Sequence, residues 1–327
     1  MNLLWLAGLL RGASPDLLGP ATSIDINRVR ARATVVAGRV RSLAADVNAA
    51  SNPAKQSRDR IKSETGVDVF RKDPNPYFQQ DNEPKLAAIL LAAEVQEEEP
   101  ATVHALWMKE ATTQVLGDWM SPAGVASEER ARSLFIADSY YRFLGADVFT
   151  AFTPATRRGQ DNRILIQDST ADDHRAVLDA ASKSLHAEYA AKYDYAPILR
   201  NELTVTRVGD QFNVKAGDSH HFATIALTMA LFRRIRRNPV PAIQDLGITY
   251  PLSDDMAYIV YNSGPGGPGI KDRGAHAVFD SARQRAATSG KSISDELFRT
   301  QIPSSNTIRR NAVKFMHYRM SYAPLYA

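Results

Sequence analysis

The apolar residues of this chain recur mainly at helical spacing, and this feature limits its possible folds more than any other. Between residues 25 and 50 the stripe consists of Ile26, Val29, Ala33, Val36, Val40, Leu43 and Val47. Steps of three and four place these side chains on one helix face, and the arginines of the segment fall elsewhere. The stripe is short for a coiled coil, so we expect this helix to pack on the body of the protein.

The same periodicity predicts a mainly α fold for most of the remaining chain. Helices are predicted to begin near Pro84 and Pro100, and to cover residues 128–145, 171–192 and 219–236. The segment 219–236 is apolar nearly all round until Arg233, which is typical of a central helix. The exception is residues 203–215, where alternating side chains around Gly209-Asp210 predict a β-hairpin.

A polar stretch divides the predicted elements into two parts. Residues from Lys55 to Asn82 are rich in charge and contain the turn former Asp-Pro-Asn-Pro at 73–76, so they are predicted to form a connection. The predicted organisation is an N-terminal helical region with its linker over residues 1–80, followed by one main domain over residues 81–327.

Composition excludes several classes of function. The chain has no cysteine, which excludes disulfides, thiolate metal sites and a cysteine nucleophile. A formal net charge of +4 favours polyanionic partners such as a cell wall, but it is too small to indicate a dedicated nucleic-acid binder. The apolar run from Leu3 to Leu10 is too short to span a membrane, so no stable membrane insertion is expected. Nothing basic precedes this run, which favours a packed helix over a secretory signal.

Glu110 is the first residue whose position indicates chemistry. Val103, Leu106 and Trp107 share one face of the helix after Pro100, and position 110 continues that face. A carboxyl that is partly desolvated there keeps its proton to a higher pH, as an acid catalyst requires. The alternatives are that the helix ends earlier, or that Glu110 pairs with an arginine.

A Gly/Pro-rich segment supplies the second signal. The helix predicted to begin near Asp254 ends in Tyr-Asn-Ser-Gly-Pro-Gly-Gly-Pro-Gly at 261–269, where glycines allow a close approach of the backbone to a ligand. The alternative is an ordinary helix end with a surface loop. Asp254 and Asp255 are predicted to cap this helix.

Taken in order, these features resemble the soluble lytic transglycosylases, which are relatives of goose-type lysozyme. Asp-Asp-Met-Ala-Tyr-Ile-Val-Tyr-Asn-Ser-Gly-Pro-Gly (254–266) resembles the Ala-Tyr-Asn-Ala-Gly-Pro-Gly signature of that family. The Glu110 helix precedes it, the apolar helix 219–236 lies between, and Ile302–Phe315 looks like the closing helix of the family. The resemblance spans roughly residues 84–320. It departs from the family at Ala111, where a serine is usual, and in having no Gly-Leu-Met-Gln segment.

The resemblance implies a lysozyme-like helical domain with a small β-hairpin and an N-terminal helical extension. It implies that Glu110 protonates the oxygen between N-acetylmuramic acid and N-acetylglucosamine, and then acts as base on the muramic 6-hydroxyl or on water. Tyr261 would line the site, and Asn262, Ser263 and Gly264 complete the predicted substrate-binding residues. No cofactor and no metal is implied, and one carboxylate suffices in this family. Candidates for a second carboxylate are Asp118, Asp138 and Asp218.

Other polar clusters have simpler interpretations. His220-His221 are adjacent and point apart on a helix, with no third ligand at a useful spacing, so a helix-start or groove-lining role is favoured over a metal site. Glu97-Glu98-Glu99 is predicted to be a solvated helix end. Arg233, Arg234, Arg236 and Arg237 fall in a last helical turn, where cations suit the helix dipole.

Two functions follow as hypotheses. The first is a peptidoglycan-cleaving lytic transglycosylase or muramidase, secreted or delivered to the bacterial periplasm without an obvious signal peptide. An antibacterial effector of this kind would travel with an immunity protein that plugs its groove. The second is a catalytically inactive lysozyme-like fold that serves as a cell-wall-binding or structural module.

Overall fold

The protein is described from a computed structural model, over the following parts of the chain: residues 20–65, 75–77, 83–112, 241–263 except 245, 274–300 and 307–327, four strands between 157 and 216, and separate positions between 225 and 239. The predicted helices at 128–145 and 171–192, and the apolar run at 3–10, lie outside the described residues.

The described part of the chain is mainly helical, which confirms the predicted fold class at that level. Its helices are α1 (Ile26–Ala45), α2 (Pro53–Thr65), α3 (Glu83–Gln96), α4 (Pro100–Thr112), α5 (Pro241–Gln244), α6 (Asp254–Ser263), α7 (Gly274–Ser289), α8 (Ile293–Thr300) and α9 (Thr307–Tyr326). The described positions from 225 to 237 are also helical, and Ile225, Met229 and Phe232 among them are buried.

Helix α9 is the common packing partner of four other helices. It lies against α1, α2, α4 and α6, and α3 packs on both α1 and α4. Its buried side chains include Phe315, Tyr318, Tyr322 and Leu325, which recur every three or four residues. The α1 stripe at Val29, Ala33, Val36 and Val40 belongs to the same hydrophobic core. This confirms the prediction that the first helix packs on the body of the protein.

The predicted polar connection after Lys55 is wrong in its first part, because this sequence forms helix α2. Asn52 caps the helix by accepting a 3.0 Å hydrogen bond from the Ala54 amide, and Pro53 occupies the first helical position. Ala54 and Ile61 enter the core, and Tyr77 farther along is buried too. Helices on both sides of residue 81 thus share one core, and the domain division there stays a prediction.

The described strands form one four-stranded antiparallel sheet. Strands β3 (Leu203–Val208) and β4 (Gln211–Ala216) pair antiparallel along their whole length, with Val208 opposite Gln211. Two short strands, β1 (Arg157–Arg158) and β2 (Ile164–Leu165), extend the sheet in the order β1-β2-β4-β3. The predicted hairpin is therefore part of a larger sheet, and periodicity could not reveal two-residue strands.

The cap of α6 differs from the prediction. Ser253, not Asp254 or Asp255, occupies the N-cap: its carbonyl accepts from the Ala257 amide and its Oγ accepts from the Met256 amide at 3.4 Å. The two aspartates instead fall in the first turn, where their charge suits the helix dipole. Of the helices described here, none is long and apolar enough to cross a bilayer.

Candidate functional site

Helix α4 carries Glu110 near its end, since the helix continues to Thr112. The prediction of a helix through position 110 is confirmed, but this helix does not bury one face alone. Every residue from Ala101 to Lys109 is buried, including Thr102 and His104, so α4 is enclosed on all sides. The Glu110 side chain itself lies outside the described part of the structure.

Tyr261 lies near the end of α6, the helix that carries the signature-like segment. Its side chain is only 3% exposed, and its ring centre lies 6.2 Å from that of Tyr258 and 6.4 Å from that of Phe232. Asn262 is half-buried and Ser263 ends the helix, while Gly264 lies outside the described residues. The Tyr261 ring is thus part of an aromatic core cluster.

Helix α9 connects the helix of Glu110 to the helix of Tyr261. Phe315 of α9 stacks on Tyr258 of α6 with ring centres 4.4 Å apart, and Tyr322 of α9 stacks on His104 of α4 at 3.9 Å. These stacks orient α4 and α6 through a shared partner.

A buried polar cluster joins α4, α6, α9 and the segment around Arg236. Asp254 accepts a 2.7 Å hydrogen bond from Thr102 Oγ1 and a 2.9 Å hydrogen bond from Arg236 Nη1. The Arg319 Nε lies 3.1 Å from Asp254 Oδ2 and also donates to Thr102 Oγ1 at 3.1 Å. A buried carboxylate with several charge-assisted partners is held in one geometry, which fixes the three helices relative to one another.

Glu98 is the second acidic member of this cluster, and the prediction that residues 97–99 form a solvated helix end is wrong for it. Glu98 is 7% exposed, and Arg236 Nη1 lies 2.8 Å from Glu98 Oε2. That approach does not have hydrogen-bond geometry, and neither carboxylate oxygen accepts a hydrogen bond from the described residues. Burial raises the pKa of Glu98, although Arg236 opposes the effect.

The turn between α3 and α4 places Glu98 inward. Glu97 has a left-handed backbone (φ 50°), and the Glu98 amide donates back to the Ala93 carbonyl at 2.9 Å. With the Glu97 amide bonded to the Glu94 carbonyl at 3.3 Å, this is a Schellman ending of α3. Glu99 stays exposed and lies 3.5 Å from Arg319.

Asp255 is the carboxylate next to the cluster on α6. Its Oδ1 is buried without a hydrogen-bond partner among the described residues. Burial raises the pKa of Asp255 to about 6, and the charge of Arg319 acts in the opposite direction. Asp255 is therefore a group that the fold holds partly protonated in mildly acidic solution.

A cleft opens beside Glu98, between the start of α1 and the turn from α3 to α4. Its volume is ≈360 Å³, and Ser23, Arg28, Arg32, Glu94 and Glu98 contribute to its lining. Hereafter this space is called the turn cleft. The turn cleft is open to solvent, and the desolvated residue Glu98 forms part of its lining.

Most of the remaining predicted site residues fall outside the part of the chain that the structure describes. Asp118, Asp138, Asp218, His220, His221 and Arg234 lie outside the described residues. The predicted dipole role of the arginines at 233–237 needs correction for Arg236, because its guanidinium binds carboxylates of other elements. Across the part of the chain that the structure describes, no group of three or more His, Asp or Glu side chains could hold a metal ion.

The sequence patterns did not predict that Glu98, Arg236 and Arg319 form one cluster. Pro100 marks the helix start after the three glutamates, and this predicts a turn but not its burial. The arginines that neutralise Glu98 and Asp254 come from distant parts of the chain, so local spacing carries no signal of the cluster.

Comparison of the chain with protein-family models, curated proteins and solved structures gave no significant match.

Proposed function

We propose that this protein cleaves peptidoglycan glycan strands at the β-1,4 bond between N-acetylmuramic acid and N-acetylglucosamine. One observation carries the proposal: the chain order of the Glu110 helix, the apolar helix 219–236, the segment 254–266 and the closing helix resembles that of the lytic transglycosylases. The mainly helical fold is compatible with a lysozyme-like domain. The packing of α9 against both α4 and α6 supports it, since one helix then positions both motif-bearing helices.

The proposed chemistry uses a single carboxyl group. Glu110 donates its proton to the bridging oxygen as the bond from that oxygen to muramic C1 breaks, and N-acetylglucosamine leaves as an alcohol. The acetamido group of the substrate assists at C1. The muramic 6-hydroxyl then attacks C1 and returns its proton to Glu110, which gives an anhydro product. Attack by water in the same step gives a reducing end instead.

The proposed site of action is the bacterial periplasm, reached by secretion or by delivery as an antibacterial effector. An immunity protein that blocks the substrate groove is the expected partner. Expression with and without an added export signal tests this proposal. Growth arrest and cell rounding are expected only from the exported form, whereas toxicity confined to the cytoplasmic form would contradict it.

One observation favours a second candidate function, a cell-wall-binding module without turnover. Tyr261 is 3% exposed and packs on Phe232, so its ring belongs to the core rather than to an open groove among the described residues. A module of this kind binds purified sacculi in a pelleting assay but releases no soluble muropeptide. An enzyme releases muropeptides, and its Glu110→Gln variant keeps binding while the release stops.

A further inference from the structure

We propose that the turn cleft binds a primary alkylammonium group of the lysine side-chain type, with Glu98 as the carboxylate that receives it. This inference does not depend on the proposed function. It rests on the volume of the cleft, the burial of Glu98 and the hydrogen-bonding state of the groups around it.

Glu98 provides the acceptor. Its side chain is 1% exposed, yet both of its carboxylate oxygens lack a hydrogen-bond partner among the described residues. A carboxylate offers about four acceptor positions, and one ion pair with Arg236 leaves most of them open. Leaving such a group without hydrogen bonds keeps the desolvation cost of the carboxylate uncompensated, and a bound N–H donor would recover part of that cost.

The two arginines of the cleft each donate a hydrogen bond within the protein. Arg28 Nη2 donates to Glu94 Oε2 at 3.1 Å, and Arg32 Nη2 donates to the Tyr326 carbonyl at 2.9 Å. The buried carboxylate of the cleft therefore keeps open acceptors, which a cation that donates hydrogen bonds can occupy.

Apolar residues at the cleft favour a cation that carries an alkyl chain. Ala21, Ala93 and Pro100 line it together with the polar groups, and its volume of ≈360 Å³ accommodates a short alkyl chain. An ammonium group on such a chain can reach a buried carboxylate while its methylenes contact the alanines and the proline.

The test is a titration of the full chain with butylammonium at neutral pH, followed by calorimetry or by chemical shifts of labelled protein. Sodium butyrate is the anionic control, since its alkyl chain is similar and its charge is opposite. The comparison set is wild type, Glu98→Gln and Glu64→Gln. Glu64 is a matched control because it lies on α2 and pairs with Arg60 in a solvent-exposed salt bridge.

We expect wild type and Glu64→Gln to bind butylammonium alike with millimolar affinity or better, and Glu98→Gln to bind at least about tenfold more weakly. Ser23→Trp is a second variant that blocks the cleft without touching Glu98, and it should abolish binding even if Glu98→Gln fails to fold. Saturable butyrate binding of equal strength, undiminished binding by either cleft variant, or no binding by wild type up to about 10 mM would overturn the proposal.

Discussion

Asp254, the first residue of α6, accepts a 2.7 Å hydrogen bond from the hydroxyl of Thr102 in the first turn of α4. The same carboxylate is bound by Arg236 and Arg319, so it connects α6 to α4, to α9 and to the segment around Arg236. The two arginines are only partly exposed, and Asp254 is buried. This cluster is a buried polar restraint on the relative positions of α4 and α6.

Replacing Asp254 by alanine should lower the free energy of unfolding by about 3–5 kcal/mol, because two partly buried guanidinium groups lose their carboxylate. Urea denaturation followed by circular dichroism measures this change. Asp280→Ala is the control, since Asp280 binds Arg283 within α7 at a more exposed position, and it should cost less than about 1 kcal/mol. Equal losses in the two variants would show that the cluster does not hold the helices.

His317 should make the protein acid-sensitive. Burial lowers the pKa of His317 to about 3, with the charges of Arg58 and Lys314 acting in the same direction, while its ordinary value is 6.5. The unfolded chain therefore takes up a proton at His317 below pH 6.5 and the folded chain does not. Stability is lost as the pH falls from 6.5 toward 3, by about 3 kcal/mol between neutral pH and pH 4.

The His317→Gln variant isolates this contribution, because glutamine can still bond to the Ser57 hydroxyl, which lies 3.0 Å from His317 Nδ1. Denaturation midpoints measured from about pH 7 to pH 4 should fall less steeply for the variant than for wild type. Parallel profiles would mean that His317 is accessible to protons in the folded state.

Asp255 should make the folded state less stable as the pH rises, which is the opposite of the effect of His317. Its pKa is about 6 in the fold because of burial, against an ordinary value of 3.8, so the folded state favours the protonated carboxyl. The stabilising contribution of the protonated Asp255 carboxyl is present at low pH and is lost as the pH rises from about 4 to above 6. Asp255→Asn should therefore be more stable than wild type by about 1–2 kcal/mol at pH 7.5, with a smaller difference at pH 5. A variant that is less stable at pH 7.5 would refute this.

Two arginines of α1 should stabilise the end of α9. Arg32 donates to the Tyr326 carbonyl at 2.9 Å, and Arg39 donates to main-chain oxygens of Leu325 and Ala327 at 2.8 and 2.6 Å. Cations at a helix C-terminus bind its open carbonyls and complement its dipole. Arg39→Ala should cost about 1–2 kcal/mol and increase amide exchange in the last turn of α9. Arg30→Ala, at an exposed position on the same helix, should leave both unchanged.

Local patterns were enough to predict several elements of this fold. The stripe from Val29 to Val40 predicted α1 and its buried face, and Pro100 marked the start of α4. The alternation after Leu203 predicted the paired strands β3 and β4. In each case the signal lies within a few residues of the element, because hydrophobic periodicity and turn chemistry are local properties.

The remaining features depend on contacts between distant segments. Helix α2 was missed because its sequence is mostly polar, and only small or isolated residues such as Ala54 and Ile61 face the core. Glu98 was predicted to be solvated because Arg236, its neutralising partner, cannot be inferred from sequence spacing. The complete burial of Ala101–Lys109 likewise follows from the packing of α4 against α3 and α9, which no amphipathic pattern predicts.

The most direct test of the proposed function is the digestion of purified peptidoglycan sacculi, with products identified by mass spectrometry. Wild type and Glu64→Gln should release muropeptides, and Glu110→Gln should release none while retaining its fold and its binding to sacculi. Anhydromuramyl ends would identify a lytic transglycosylase, and reducing ends a muramidase. Absence of release by wild type, or equal release by Glu110→Gln, would contradict the assignment of Glu110 as the catalytic acid.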